Sequence, residues 1–421
     1  MAGYLICVCY ESGVPIFARK VGDVNPIPFP LAASLNGVKV FGKANRVELM
    51  STLTQSSRIV WKDFHDRLSM ILAATDDSVT DMHLENVLEN IFNILVLNVG
   101  LNDIMGTKSI DVLKKEFRMC YPVIDLILQG IKPSEHTLYF SDLTMCADVA
   151  LQIESTVNYQ GVLDSFLEGT GVSYGCIIAN GCILASSRDW WVLSGKEISL
   201  LTFTTEQVTE ASIDSPVFLP VSSPKLPYRH VVFKLTDNVR LCILCGQEPT
   251  MSLLEKEAHK LRKANLDSWT IFNDKTVPFC LYNRFFTIDE SISAFLVINV
   301  EKERAAFSIF PDKPNDVLTP RHKLDLLRTF YRNTVGSVFP WNKATAPTFT
   351  SPAHPDAKDT EPVLHRAQEC YWSSEYHKCH AIKSSHVQLY VMYDSQVFPP
   401  TMRQCTRKLL QELLKDRMIK L

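Results

Sequence analysis

Gly37-Val38-Lys39-Val40-Phe41-Gly42-Lys43 has the G-x-x-x-x-G-K spacing of a phosphate-binding loop. In such a loop backbone amides and the lysine cradle phosphates, and a following Ser or Thr holds magnesium. Here Ala44 stands where the hydroxyl belongs, no strand runs directly into Gly37, and Arg46-Val47-Glu48-Leu49 looks extended where a helix is required. The stretch reads as a turn and a short crossover, with nucleotide hydrolysis through Lys43 as a secondary reading. Gly171-Val172-Ser173-Tyr174-Gly175 has the spacing of a nucleophile elbow. That geometry needs a strand before the serine and a helix after it, and the order here is the reverse. Cys242-x-x-Cys245 falls in a strand-like run, so its thiols point to opposite faces. Cys370, His377, Cys379 and His380 are residue types that zinc prefers, but Cys379 and His380 diverge on a strand and no second CxxC completes a ligand set. His65, beside Asp63 and Asp66, has no nucleophile to serve as a base. No catalytic residue, metal or cofactor is predicted.

These decoys need elements to carry them, and the composition bounds how many. A chain of 421 residues, 46% hydrophobic and 21% charged, can bury two or three cores of ordinary size. A net charge of -3 gives no field to hold a polyanion, so nucleic acid is not an expected partner. Several of the twelve cysteines, among them Cys7, Cys9, Cys176, Cys182, Cys242 and Cys245, sit in apolar strand-like runs. They read as small hydrophobes in a reducing compartment. MAGYLICVCYESG has no basic leader before its apolar run, so no signal peptide is expected. The longest apolar window, Ile91 to Leu101, contains Asn93, Asn98 and Gly100 and is too short to span a bilayer, which predicts a soluble chain.

Tyr4–Tyr10 and Val14–Lys20 flank the turn residues Glu11-Ser12-Gly13, which predicts a hairpin. Leu31–Gly42 crosses over, and strands follow at Val47–Thr54, Arg58–His65 and Leu68–Thr75. In the second of these, Ile59, Trp61, Asp63 and His65 share one face, while Val60, Lys62, Phe64 and Asp66 share the other. From Asp81 a helix carries apolar residues almost all round, so it is buried on most sides. A second spans Ser109–Leu128, where Pro122 kinks or divides it. After a spacer at Ile131–Thr156 the order recurs. Asn180-Gly181 joins two apolar runs, the strongest short hairpin signal; a crossover, three strands and a helix at Met251–Ala264 follow. A third pass runs from Ile292 to Met418. The recurrence predicts an α+β chain of three ββαβββα units, placed at residues 1–133, 157–268 and 278–421, with a mobile insertion near 340–362.

The terminal helix sets Arg403, Arg407, Lys408 and Lys415 opposite Leu409, Leu410, Leu413 and Leu414. Such a helix usually packs its apolar side and solvates its charges, but those four cations are also the candidates to face an anionic membrane surface.

SLNGVKVFG (Ser34–Gly42), IVWKDFHD (Ile59–Asp66), LNVGLNDI (Leu97–Ile104) and LKKEFRMCYPVIDLIL (Leu113–Leu128) together resemble the Fuzzy family of planar cell polarity effectors. The likeness is specific in the first third, weaker around Asp189-Trp190-Trp191 and Leu241–Gly246, and faint in the last third. It implies three longin-like domains, each a five-stranded antiparallel sheet flanked by helices. It also implies kinship with the tri-longin subunits of Rab activators, including the lysosomal Rab exchange factors and the Hermansky-Pudlak proteins. The implied partners are Inturned, the propeller protein Fritz (WD repeat-containing planar cell polarity effector) and a Rab-type small GTPase. The implied setting is the cytoplasm and the cytoskeleton at the ciliary basal body, in cilium biogenesis, intraciliary transport and Hedgehog signalling. Partner contact in this family falls on the first domain, which nominates Asn36, Val38, Phe41, Lys62, Asp63 and His65. A longin-type trafficking adaptor without exchange activity is the alternative.

Overall fold

The computed structural model describes residues 3–22, 28–75, 79–106, 108–131, 140–151, 157–272, 289–310, 318–339 and 367–415; the insertion near 340–362 lies outside them. The first unit runs β1 (Gly3–Cys9), β2 (Pro15–Val21), α1 (Phe29–Ala44), β3 (Ser51–Leu53), β4 (Arg58–Phe64), β5 (Leu68–Ala74) and α2 (Asp81–Val99). Helices α3 (Leu101–Met105), α4 (Ile110–Phe117) and α5 (Tyr121–Gln129) complete it. Its sheet has the order β2-β1-β5-β4-β3. The alternation along β4 decides what lies on each side. Val60 and Phe64 join Leu84, Leu88 and Ile91 of α2 in the main core, while Ile59 and Trp61 join Ile6, Val8 and Ile71 under α1. Thr80 caps α2 by accepting from the His83 amide at 3.3 Å. Pro122 falls in the first turn of α5, where its missing N–H would have had no partner anyway, so the predicted long helix is divided there.

The second unit comprises α7 (Tyr159–Thr170), β7 (Tyr174–Ala179), β8 (Cys182–Ser186), α8 (Gly195–Glu206), β9 (Ser212–Leu219), β10 (Ser223–Lys234), β11 (Val239–Cys245), α9 (Met251–Ala264) and α10 (Leu266–Trp269). The sheet order β8-β7-β11-β10-β9 repeats that of the first. Asn180 and Gly181 both take positive φ, at 49° and 78°, as the two-residue turn between β7 and β8 requires. The third unit comprises β12 (Ile292–Asn299), β13 (Arg304–Ile309), α11 (Pro320–Ser337), β14 (Glu369–Ser373), β15 (His377–Ser384), β16 (Val387–Asp394) and α12 (Pro399–Lys415).

One element departs from three equal five-stranded sheets. The spacer between the first two units folds as α6 (Ser141–Thr144) and β6 (Ala147–Asp148), and β6 adds a sixth strand to the third sheet, parallel to β13. The Ala147 amide donates to the Glu303 carbonyl at 2.9 Å and the Val149 amide to that of Ala305 at 2.8 Å. One residue on, the Ala150 amide donates to Ile183 of β8 at 2.9 Å. The linker therefore bridges the outer edges of β8 and β13, the second strands of their units. A two-residue strand has too few positions to show a period, so the sequence reads only a spacer.

The same linker carries two buried carboxylates. Asp142 receives both terminal nitrogens of Arg328 from α11, Nη1 at 3.0 Å, and both side chains are 3% exposed. Asp148 accepts from the Phe140 and Ser141 amides at 2.6 and 2.7 Å through one oxygen, while its other oxygen, Oδ1, has no hydrogen-bond partner among the described residues. Burial pushes the Asp148 carboxyl up to about 7, with the charge of Asp142 adding to it and the two amides and Arg328 pulling the other way. The folded state thus holds a proton that the unfolded chain releases near the ordinary carboxylate range. The stabilising contribution is complete below that range and is lost as pH rises through about 7. Asp148→Asn is expected to flatten this part of the pH profile, read as the difference in urea midpoint between pH 5 and pH 8. A profile identical to that of the parent chain would show that Asp148 is not the group responsible.

Candidate functional site: the uncovered crossover helix of the first domain

Each unit sends one helix across its sheet between the second and third strands: α1, α8 and α11. In α8, Ile198, Leu200, Leu201 and Phe203 are buried; in α11, Leu324, Leu327, Phe330 and Tyr331 are. Both helices pack against α2 of the first unit. No described side chain of α1 is buried. Its inner side is held by few contacts. Ala32 and Leu35, with Leu49 beyond the helix, rest on the small cluster of Ile6, Val8, Ile59, Trp61 and Ile71. Trp61 Nε1 donates to the Leu35 carbonyl at 3.3 Å, and Lys39 pairs with Asp63 and donates to Ser69 Oγ at 2.7 Å.

Away from these contacts Leu31, Val38, Val40 and Phe41 are exposed, Phe41 to 72%. After Asn45 the chain folds back, so that the Val47 amide donates to the Gly42 carbonyl at 2.9 Å. Exposed Val47, Met50 and Leu53 then carry the apolar surface from the helix to β3 at the sheet edge. A contiguous run of large apolar side chains in water is the ordinary mark of a protein interaction site. What such a surface can do is bind.

The predicted residues distribute unevenly over this surface. Val38 and Phe41 face outward. Asn36 is half-buried, its side chain next to Gly13 of the β1–β2 turn. Asp63 lies on the α1 side and anchors Lys39. His65, expected on the face of Ile59 and Trp61, is exposed in the β4–β5 turn with φ 52°, its ring 5.6 Å from that of Phe92 of α2, on the side of the sheet away from α1. Lys62 is not part of the surface: it points to the opposite face, where Nζ meets Glu89 Oε1 at 2.7 Å. Glu89 also receives Lys196 of α8 at 3.0 Å, so Lys62 belongs to a tie between the first two units. Sequence reasoning missed Leu31, Val40, Val47, Met50 and Leu53, because their apolar types read equally well as core.

At the other end of the chain, α12 turns Met402, Leu409, Leu410 and Leu413 into a core shared with Leu389 and Val391 of β16. Arg403 and Arg407 both hold Glu369 of β14, each at 2.7 Å. Lys408 is exposed, and the Lys415 side chain lies outside the described residues. The sequence decoys also find their places. Gly37 to Lys43 is the middle and end of α1, with Lys43 Nζ 4.5 Å above the Tyr10 ring. Cys242 and Cys245 fall in different cores, and His380 Nδ1 bonds Thr406 Oγ1 at 2.8 Å. Among the described residues no three His, Cys, Asp or Glu side chains gather as a metal would need.

Three family profiles match the chain in order: the first longin domain of FUZ, MON1 and HPS1 over residues 4–127, the second over 170–262 and the third over 291–417. The chain is similar to the protein fuzzy homolog of Xenopus tropicalis, 29% identical over 434 aligned residues and 98% of each chain. It is 30% identical to the rat protein fuzzy homolog over 84% of each chain, and 30% identical to the human one over 80% of each. Three longin profiles in sequence, and relatives that match over most of both chains, place this protein in the Fuzzy family of three-longin proteins.

Proposed function

We propose that this chain is a non-catalytic subunit of a guanine-nucleotide exchange factor, paired with an Inturned-type partner and acting on a Rab-type small GTPase. The observation that carries the reading is the outer face of α1, bare among the described residues, where the corresponding helices of the other two domains are covered from within the chain. An exchange factor needs no acid, base or nucleophile. It binds the nucleotide-free GTPase more tightly than the loaded one, and that difference in affinity drives release. A surface with binding capacity and no reactive group suits this task. The proposal extends to planar cell polarity and to ciliary trafficking and Hedgehog signalling from the basal body, with the propeller protein Fritz completing the assembly. A contact of α12 with an anionic membrane surface stays within the proposal through exposed Lys408, while Arg403 and Arg407 also hold Glu369.

Release of labelled GDP from ciliary Rab proteins, measured with the chain alone, Inturned alone and the two mixed, tests the reading. The mixture is expected to accelerate release from at least one of them well beyond either subunit. Stable assembly with Inturned but unchanged GDP release would replace the exchange factor with a trafficking adaptor.

A further inference from the structure

The second unit holds a cavity away from α1, between the β10–β11 turn and the approach to β9 on one side and α9 and α10 on the other. Its volume is about 630 Å³, within the range of small-molecule sites, about 300–1,000 Å³. Apolar and cationic side chains share its wall. Leu235 is buried, while Leu266 lies 51% exposed at the cavity. Lys234 and Arg262 are the cations. Lys234 Nζ pairs with Asp237 Oδ1 at 2.8 Å, and Arg262, exposed in the last turn of α9, meets no carboxylate among the described residues. The wall therefore keeps one positive charge unanswered. Glu210 and Asp267, exposed beside the wall residues Ala211 and Leu266, set a ligand of higher negative charge at a disadvantage. Thr270 Oγ1, also on the wall, donates to the Asp267 carbonyl at 2.6 Å, and the Thr209 hydroxyl donates to Glu210. Thr236 Oγ1 has no hydrogen-bond partner among the described residues, so a turn about its Cα–Cβ bond brings it to the cavity without breaking one.

We infer that this cavity is a binding site for a small monocarboxylate with an apolar body. The carboxylate meets Arg262, whose planar guanidinium suits a two-oxygen contact, with Lys234 and Thr236 as further donors. The apolar body lies on Leu235 and Leu266 and takes the exposed side chain of Leu266 out of water. A dianion such as phosphate exceeds the charge left on the wall, and an uncharged amide leaves the guanidinium unanswered. The inference goes beyond the exchange-factor reading and does not depend on it, since the cavity lies in the second domain and the docking surface in the first.

Titration calorimetry of the full chain with hexanoate, hexanamide, acetate and inorganic phosphate, at constant ionic strength, tests it. Hexanoate is expected to bind saturably at one site. Hexanamide and acetate are each expected to bind about tenfold or more weaker, since one lacks the charge and the other the apolar body. Arg262→Gln is expected to weaken hexanoate binding by about tenfold or more. It should leave the thermal midpoint of the free chain in place, because Arg262 is exposed. Arg118→Gln, a change at an exposed cation of the first unit, is expected to bind hexanoate like the parent. Hexanamide bound as tightly as hexanoate, or phosphate bound more tightly, overturns the monocarboxylate. Equal loss in Arg262→Gln and Arg118→Gln, or no saturable binding of hexanoate, overturns the site. Should Arg262→Gln lower the midpoint of the free chain, Leu266→Asn carries the test from the apolar side of the wall, and hexanoate bound to it as tightly as to the parent overturns the proposal.

Discussion

Arg328→Ala is expected to destabilise the chain by about 3–5 kcal/mol, the scale set by removing one member of a buried ion pair. The guanidinium and the Asp142 carboxylate are both 3% exposed, and Arg328 Nη2 also reaches the Gly130 carbonyl at 3.4 Å. One side chain of the third domain thus ties the linker to the end of the first. Truncating it leaves a carboxylate buried with its counter-charge gone, next to Asp148, whose Oδ1 already lacks a partner among the described residues. The loss should be local as well as global: hydrogen exchange over residues 140–151 should rise before that of α2. The double change Arg328→Met with Asp142→Leu should recover much of the loss, since replacing a buried pair by apolar groups is often neutral. Equal instability of the single and double variants would mean that packing, and not the stranded charge, dominates.

Phe41→Asp is expected to leave the fold intact and to weaken Inturned binding by at least about 30-fold, the scale of losing a central aromatic anchor. Its ring is 72% exposed, so its removal takes little from the core, and exposed substitutions of this kind usually change stability by under about 0.5 kcal/mol. In the complex the same position would put a carboxylate into the centre of an apolar contact, where desolvation works against binding. Titration calorimetry and thermal unfolding on the same sample separate the two effects. Unchanged affinity would remove this stretch from the interface.

The elements were legible in the sequence where local chemistry dictates them. Asn180-Gly181 fixes a hairpin by the conformations those residues adopt, and Pro122 divides a helix because it lacks a donor. The face alternation along β4 sends Trp61 and Lys62 to opposite sides, as its period of two requires. The third sheet's extra strand was not legible, because β6 exists through edges supplied by residues more than 150 positions away in β13, and nothing in Ala147-Asp148 itself asks for a strand. The apolar surface was legible only in part. Val38 and Phe41 stood out within a helix that also carries glycine and lysine, but Val47 to Leu53 has the composition of any buried strand. Whether such a stretch is core or interface depends on what covers it, and that is decided by how three domains share a single central helix, α2.

The placement of β6 bears on how the gene can be cut. A fragment beginning at the second profile match, residue 170, or at Tyr159, where α7 starts, would hold every strand of the second and third domains and still leave the outer edges of β8 and β13 bare. Unpaired edges of this kind invite pairing with other chains. A fragment holding the second and third domains therefore has to include the linker from Phe140 onward, and it still loses α2, the first-domain helix on which α8 and α11 pack.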